Sequence, residues 1–225
     1  MTIKIAPLSN PDIDLDELAR LTYSAVHSDI CDKLGHRNQT ADPGILPLTG
    51  SGVLVGWART AISRPVEAPP ERHYGAEIDF LDSLRPGDVP IIDCSKRPAA
   101  AWGELFSTAS VGRGARGALI DGYIRDSAKI DEMGFLVFGR GSRPTDSLGR
   151  VSTCSIDEEI EFAGVTVRTG DLLIADQDGL TVVPRDLAEE VVALAIEKAT
   201  TETSARGLLL AGGTMATVWE KYRVL

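Results

Sequence analysis

The sequence predicts a mixed α/β fold built around a parallel sheet, and three observations carry that expectation. Between residues 89 and 138, short apolar runs alternate with helical patterns in the order strand–helix–strand–helix–strand, an order that calls for crossover connections between parallel strands. The chain has 225 residues, 43% hydrophobic and 25% charged, an ordinary globular composition at a length that buries a core without disulfide or metal staples. No linker, internal repeat or low-complexity tract interrupts it. One domain over residues 1–225 is therefore expected.

The elements follow in order. Pro11-Asp12, then Ile13, Leu15, Leu18, Ala19, Leu21 and Ala25, have helical spacing and predict one amphipathic helix ending near Gly35. A polar stretch, 36–52, follows. Residues 53–62 read as a strand, 63–74 as a loop and 75–84 as a short helix stopped at Arg85-Pro86-Gly87-Asp88. The apolar run 89–93 is a buried strand. Residues 103–111 form a helix, 117–122 a strand entering a tight turn, 126–133 a helix and 135–138 a strand. Residues 160–167, 172–175 and 180–183 are short strands joined by Gly164, Thr169-Gly170-Asp171 and Asp178-Gly179, a pattern expected of a meander or small barrel-like sheet. A long helix covers 184–210, with Leu187, Val191, Leu194 and Ala195 on one face and Glu189, Glu190, Glu197, Lys198 and Glu202 over much of the rest.

Charge narrows the partners. Lys and Arg number 23 against 33 Asp and Glu, a net charge of −10. Such a field repels nucleic-acid phosphates and anionic lipid, and no basic run opposes it. Neither nucleic acid nor membrane is expected, whereas a small anion held by a local arginine remains open. The first twenty residues carry no apolar signal segment and nothing approaches 18 consecutive apolar residues, so a cytoplasmic location is expected. Cys31, Cys94 and Cys154 are odd in number and far apart, as expected of buried, reduced thiols.

Several motifs lead nowhere. Gly112-Arg113-Gly114-Ala115-Arg116-Gly117 spells G-x-G-x-x-G but follows a helix and opens a strand, the reverse of the dinucleotide context. These glycines are expected to end one element tightly before the next. His27, His36 and His73 have no ligand spacing and are expected to be surface or hydrogen-bonded side chains. Lys129 follows a strand and turn, where a Schiff-base lysine has to be weighed against an exposed helix lysine; the latter is expected. No G-x-S-x-G or Walker A pattern occurs.

Trp102 to Asp126 is the informative segment. Arg125-Asp126 lies beyond a strand of the parallel set, where ligands collect. Gly103 opens a helix whose first amides are unpaired and attract carboxylates. Arg125 offers a bidentate fork to the same anion, and Asp126 and Glu104 offer hard oxygens to magnesium or manganese. The competing reading is an arginine–aspartate pair at a helix start, with Asp126 as a plain N-cap.

Glu104, twenty intervening residues and then Arg125-Asp126 resemble the acid-x20-Arg-Asp pattern of one family. It contains the 4-hydroxy-4-methyl-2-oxoglutarate/4-carboxy-4-hydroxy-2-oxoadipate aldolases and the regulator of ribonuclease E activity A. Residues 28–35 (SDICDKLG), 139–150 (GRGSRPTDSLGR), 165–171, 175–179, and Lys198, Glu202 and Arg206 extend the likeness over roughly 14–225. Lys129 and Tyr123 depart from the pattern, standing where an acid and a smaller residue are common.

The resemblance implies an α-β-β-α sandwich similar to the swivelling phosphohistidine-type domain, assembled as a homotrimer or a dimer of trimers. It implies a lyase that uses Mg2+ or Mn2+ and acts on a small 2-oxo acid: a class II pyruvate aldolase for a 4-hydroxy-2-oxo acid that also decarboxylates oxaloacetate. Asp126 would bind the metal directly, Glu104 through water, and Glu202 through water from a neighbouring subunit. Arg125 and the amides of Gly103, Glu104, Leu105 and Phe106 would hold the pyruvyl group. The alternative within the family is a non-catalytic regulator that binds a ribonuclease. A methyltransferase is not expected, because no glycine-rich S-adenosylmethionine loop is present.

Overall fold

The computed structural model describes residues 13–72, 74–94 and 99–224. The expected helix start at Pro11-Asp12 and His73 lie outside the described residues. Helix α1 (Leu15–Leu21) begins at Asp14, whose Oδ1 accepts the amides of Asp16 and Glu17 at 3.0 Å each.

The predicted single helix is in fact two. Thr22 turns extended and α2 (Ser24–Lys33) starts afresh. Asp176, 152 residues away, accepts both the Ser24 amide and hydroxyl at 2.7 Å, so the cap of α2 comes from a distant strand end. The Thr22 hydroxyl meanwhile donates to the Leu18 carbonyl at 2.8 Å.

The elements that follow are β1 (Leu46–Thr49), β2 (Leu54–Pro65), α3 (Gly75–Asp82), β3 (Asp88–Cys94), β4 (Ala100–Trp102), α4 (Glu104–Gly112), β5 (Gly117–Ile120), β6 (Tyr123–Ile124), α5 (Ser127–Glu132), β7 (Leu136–Gly139), β8 (Gly141–Ser142) and β9 (Val151–Ile156). Then come β10 (Ile160–Phe162), β11 (Val165–Val167), β12 (Leu172–Asp176), β13 (Gly179–Val183), a 3-10 turn at Arg185–Leu187, α6 (Ala188–Leu210) and α7 (Met215–Tyr222). The fold is mixed α/β.

The main sheet runs β1-β7-β5-β3-β2-β12-β13, with β9 also on β2. Strands β2, β3, β5 and β7 are mutually parallel, as the crossover pattern requires. The meander expectation holds for the β10–β11 and β12–β13 hairpins taken singly, but the two hairpins do not pair with each other. Strands β12 and β13 join the main sheet instead, because residues 54–57 of β2 pair antiparallel with β12. Further along, residues 61–65 of the same strand pair with β9 through a bulge. Thus β2 reaches three residues beyond its predicted end, where Ser63 and Arg64 are held by Thr153 and Asp93. Strand β1 occupies part of the stretch read as a polar connection. Its Pro47 is tolerated because β1 lies at a sheet edge.

Side chains alternate across the sheet. Leu119, Leu173 and Ala175 enter one cluster with Val89, Ile91, Phe138 and Phe162. Ala118 and Ile120 face the opposite way, toward Phe80, Trp102 and Ile130 under the helices α3–α5. Leu172 and Ile174 meet Leu18, Val26, Val191 and Ala195 under α1, α2 and α6. Helix α6 thus spends its apolar stripe on its own chain.

Gly114, at φ +80, lets α4 close with Ala115 N on Ser110 O at 3.0 Å before β5 opens. A Cβ at Gly117 would meet Leu136 O at 2.6 Å. The glycine run is a tight helix-to-strand passage, as its context predicted. Cys31 and Cys94 are buried, but Cys154 is exposed, because it points outward from the edge strand β9. Among the described residues no helix is long and apolar enough to cross a membrane.

Candidate functional site

Three successive strand ends build the pocket. At the carboxyl end of the main sheet, β3, β5 and β7 each lead into a second short strand. These strands, β4, β6 and β8, form a small parallel sheet of their own. Beyond β4 come Gly103 and Glu104, beyond β6 Arg125 and Asp126, and beyond β8 the loop bearing Asp146. The Arg125 amide donates to Trp102 O at 2.9 Å and the Ala100 amide to Thr145 O at 2.9 Å, fixing the three connections side by side. They surround a cavity of about 470 Å³. This is the crevice where parallel sheets collect ligands.

Gly103, Glu104, Leu105, Phe106, Arg125 and Asp126 all line it. Trp102, buried at its base, donates from Nε1 to Ser107 Oγ at 2.8 Å and meets the Phe106 ring edge-on at 5.7 Å between centroids. Gly103 is extended, and a Cβ there would lie 3.0 Å from Asp126 Oδ2 and 3.2 Å from Arg125 Cγ. Only a bare backbone leaves that corner to the pair. Leu105 and Phe106 lie in the first turn of α4, where amides have no partner within the helix, and both line the cavity, so the positive end of α4 borders it.

Asp126 stands at the N-cap position of α5, yet its side chain makes no capping bond. Its backbone is left-handed, at φ 59, a conformation that aspartate tolerates better than most residues. The carboxylate instead meets the Glu104 amide at 3.4 Å and Arg125 Nε at 3.6 Å, both loose contacts. The plain N-cap reading therefore fails, and Asp126 retains free lone pairs toward the cavity. Glu104 accepts from Thr108 Oγ1 at 3.0 Å, a one-turn contact on α4.

Lys129 also lines the pocket but is 67% exposed and paired with Glu132 at 2.9 Å. That hydrogen bond raises its pKa, opposite to the depression a Schiff-base lysine needs. It is an exposed helix lysine, as expected. Glu202 is not among the lining residues. On α6 it accepts from the Tyr23 hydroxyl and pairs with Lys198 at 3.0 Å. Burial, then the Glu202 bond, push the Tyr23 phenol up to about 12. Among the described residues no three His, Cys, Asp or Glu side chains gather as a metal cage. His27 is fully buried and hydrogen-bonded to Thr22, while His36 is exposed.

Asp146 and Tyr74 are pocket residues to which the sequence reading gave no role. Asp146 Oδ1 lies 3.2 Å from Arg125 Nη1, and its Oδ2 accepts from the Tyr74 hydroxyl at 2.9 Å. The rule that placed Arg125 beyond a parallel strand also covers Asp146, which follows β8. Tyr74, left-handed at φ 56 before α3, had no signal in the sequence.

The chain is similar to several known proteins. Over 179 residues the chain is 26% identical to the protein DlpA of Legionella pneumophila, covering 79% of this chain but spanning only 29% of DlpA's length. Over 198 residues it is 29% identical to a Halalkalibacterium halodurans protein named "Putative 4-hydroxy-4-methyl-2-oxoglutarate aldolase", covering 85% of this chain and 86% of that one. The crystal structure of Streptomyces coelicolor RraAS2, described as an unusual member of the RNase ES inhibitor RraA family, superposes with a TM-score of 0.75. It is 26% identical, and the match covers 88% of this chain and 98% of that one. A family model described as RraA-like, Aldolase/RraA, matches residues 27–182, well over half the chain, and the protein therefore belongs to the RraA-like family.

Proposed function

We propose that this protein is a divalent-metal-dependent lyase that releases pyruvate from a 4-hydroxy-2-oxo acid, with oxaloacetate decarboxylation at the same site. The observation that carries the reading is Asp126: a carboxylate at a helix start that declines to cap, beside an arginine fork and the open amides of α4. The donor set suits Mg2+ or Mn2+. Asp126 supplies one hard oxygen with spare lone pairs, and magnesium readily keeps water in its other positions. Glu104 would hold such a water, and Glu202 of a neighbouring copy in a trimer or dimer of trimers would hold another. A bound cation supplies a Lewis acid for the carboxylate and carbonyl oxygens of the 2-oxo acid.

The chain's own groups do the rest. Arg125 takes the substrate carboxylate with parallel N–H donors. The amides of Leu105 and Phe106 face the negative charge that develops on the 2-oxo oxygen when the C3–C4 bond breaks, a preorganised dipole that needs no reorientation. In the aldol cleavage the 4-hydroxyl loses its proton, C4 becomes a carbonyl and the C3–C4 electron pair becomes the enolate of pyruvate. A proton returned to C3 completes pyruvate. Carbon dioxide loss from oxaloacetate leaves the same enolate. Trp102 and Phe106 form an apolar wall beside it.

Purified protein with magnesium is expected to release pyruvate from at least one such acid, and chelator to stop it. Arg125→Lys keeps the charge but loses the planar fork, so KM rises more than kcat falls. No pyruvate from a panel of 4-hydroxy-2-oxo acids and oxaloacetate, with either metal, refutes the reading. The second reading is a ribonuclease-binding regulator, favoured by the likeness to RraAS2. Its signature is capture of a ribonuclease E-type enzyme without any lyase activity.

A further inference from the structure

Arg125 lies between two carboxylates. Nη1 is 3.2 Å from Asp146 Oδ1, while Nε is 3.6 Å from Asp126 Oδ2. The first is a hydrogen-bonding distance and the second lies outside one. Asp146 in turn is held by the Tyr74 hydroxyl at 2.9 Å. Burial, then the bond to Asp146, raise the Tyr74 phenol above its ordinary value, so it stays protonated and donating. The Asp146 loop is tied to β4 through Ala100 N and Thr145 O at 2.9 Å. The anchor of Arg125 is thus fastened to two separate elements.

The placement matters because the arginine is long and its side chain is 39% exposed. A guanidinium released from Asp146 has a second carboxylate beside it, Asp126, which it meets only loosely at 3.6 Å. Closing this loose 3.6 Å ion pair to hydrogen-bonding distance would engage an oxygen that the proposed lyase offers to a cation. We propose that Asp146, held by Tyr74, is a positioning residue that draws Arg125 off Asp126, keeping the carboxylate open and the guanidinium turned to the pocket. The inference rests on the reading of Asp126 as a cation ligand. It assigns Asp146 and Tyr74 no contact with the reacting atoms.

The test is binding rather than turnover: full-length protein titrated with manganese by calorimetry. Asp146→Asn is expected to weaken manganese about fivefold, the effect of one partly exposed ion pair changing partners. In an Arg125→Ala background the same change is expected to cost less than twofold, because no guanidinium remains to collapse onto Asp126. Tyr74→Phe moves affinity the same way by a smaller factor. Unchanged or tighter manganese binding in Asp146→Asn overturns the proposal, as does a loss that persists in full without Arg125. The metal-free protein gives a second readout in the Arg125 Nε–H NMR signal, which Asp146→Asn should shift and added Asp126→Asn should shift back. A signal indifferent to Asp146→Asn also overturns it. Pyruvate release is scored separately: its absence removes the lyase reading, while the Arg125-dependent coupling decides this one.

Discussion

His27 provides a measurable link between buried chemistry and stability. It is fully buried on α2. Its Nε2 lies 2.9 Å from Thr22 Oγ1, and that hydroxyl already donates its proton to Leu18 O at 2.8 Å. The hydroxyl must therefore accept, so Nε2 carries the hydrogen and Nδ1 is bare. Among the described residues Nδ1 has no partner. Protonating it would bury an unpaired cation, and burial lowers the His27 pKa from its ordinary 6.5 to about 4. The unfolded chain binds this proton below 6.5 and the folded chain only near 4. Stability is therefore fully present above pH 6.5 and declines as pH falls toward 4, at up to ~1.4 kcal/mol per pH unit. Across that window the loss comes to about 3 kcal/mol. Urea unfolding at steps from pH 7.5 to 4.5 should show it in comparison with His27→Gln, which cannot titrate. Carboxylates contribute equally to both proteins, so the difference isolates His27. The stability gap between wild type and variant should shrink by about 2.5 kcal/mol between pH 7.5 and 4.5. Parallel curves would refute the argument.

Other outcomes can be checked alongside. Asp88 is buried with Arg59 at 3.2 Å, and Asp88→Ala leaves a buried guanidinium short of a partner, a loss of about 3 kcal/mol in denaturant unfolding. Gly103→Ala would press its Cβ toward Asp126 Oδ2, 3.0 Å away. Pyruvate release should fall about tenfold or more while the thermal midpoint moves by only a few degrees, since the clash is with a movable side chain. Asp126→Ala should abolish both metal binding and turnover. Mixing Asp126→Ala subunits with Glu202→Ala subunits should restore some activity if Glu202 serves a neighbour's site; a fully active monomer on dilution argues against any shared site.

Much of this protein was legible in its local patterns. The apolar runs at 89–93, 117–120 and 135–138, with helical spacing between them, specify parallel strands because both signals are local: side-chain period and connection length. Parallel crossovers put all strand ends at one edge, so Glu104 and Arg125-Asp126 could be brought together without coordinates. The reversed context of Gly112–Gly117 was decisive for the same reason. Tertiary structure decided what depends on partners far away in sequence. Asp176 splits the first helix by capping Ser24 from across the fold. Strand β2 recruits β12 and β9 to the main sheet through backbone groups, which carry no residue-specific code. Asp126 leaves its own helix uncapped because Gly103 opens a corner for it. Asp146 reaches Arg125, and Tyr74 reaches Asp146, through side chains whose partners no local pattern names. Periodicity records which face of an element is buried. It does not record which distant group will satisfy a particular charge, because that is settled only when the packed elements bring hydrogen-bonding atoms within about 3 Å of one another.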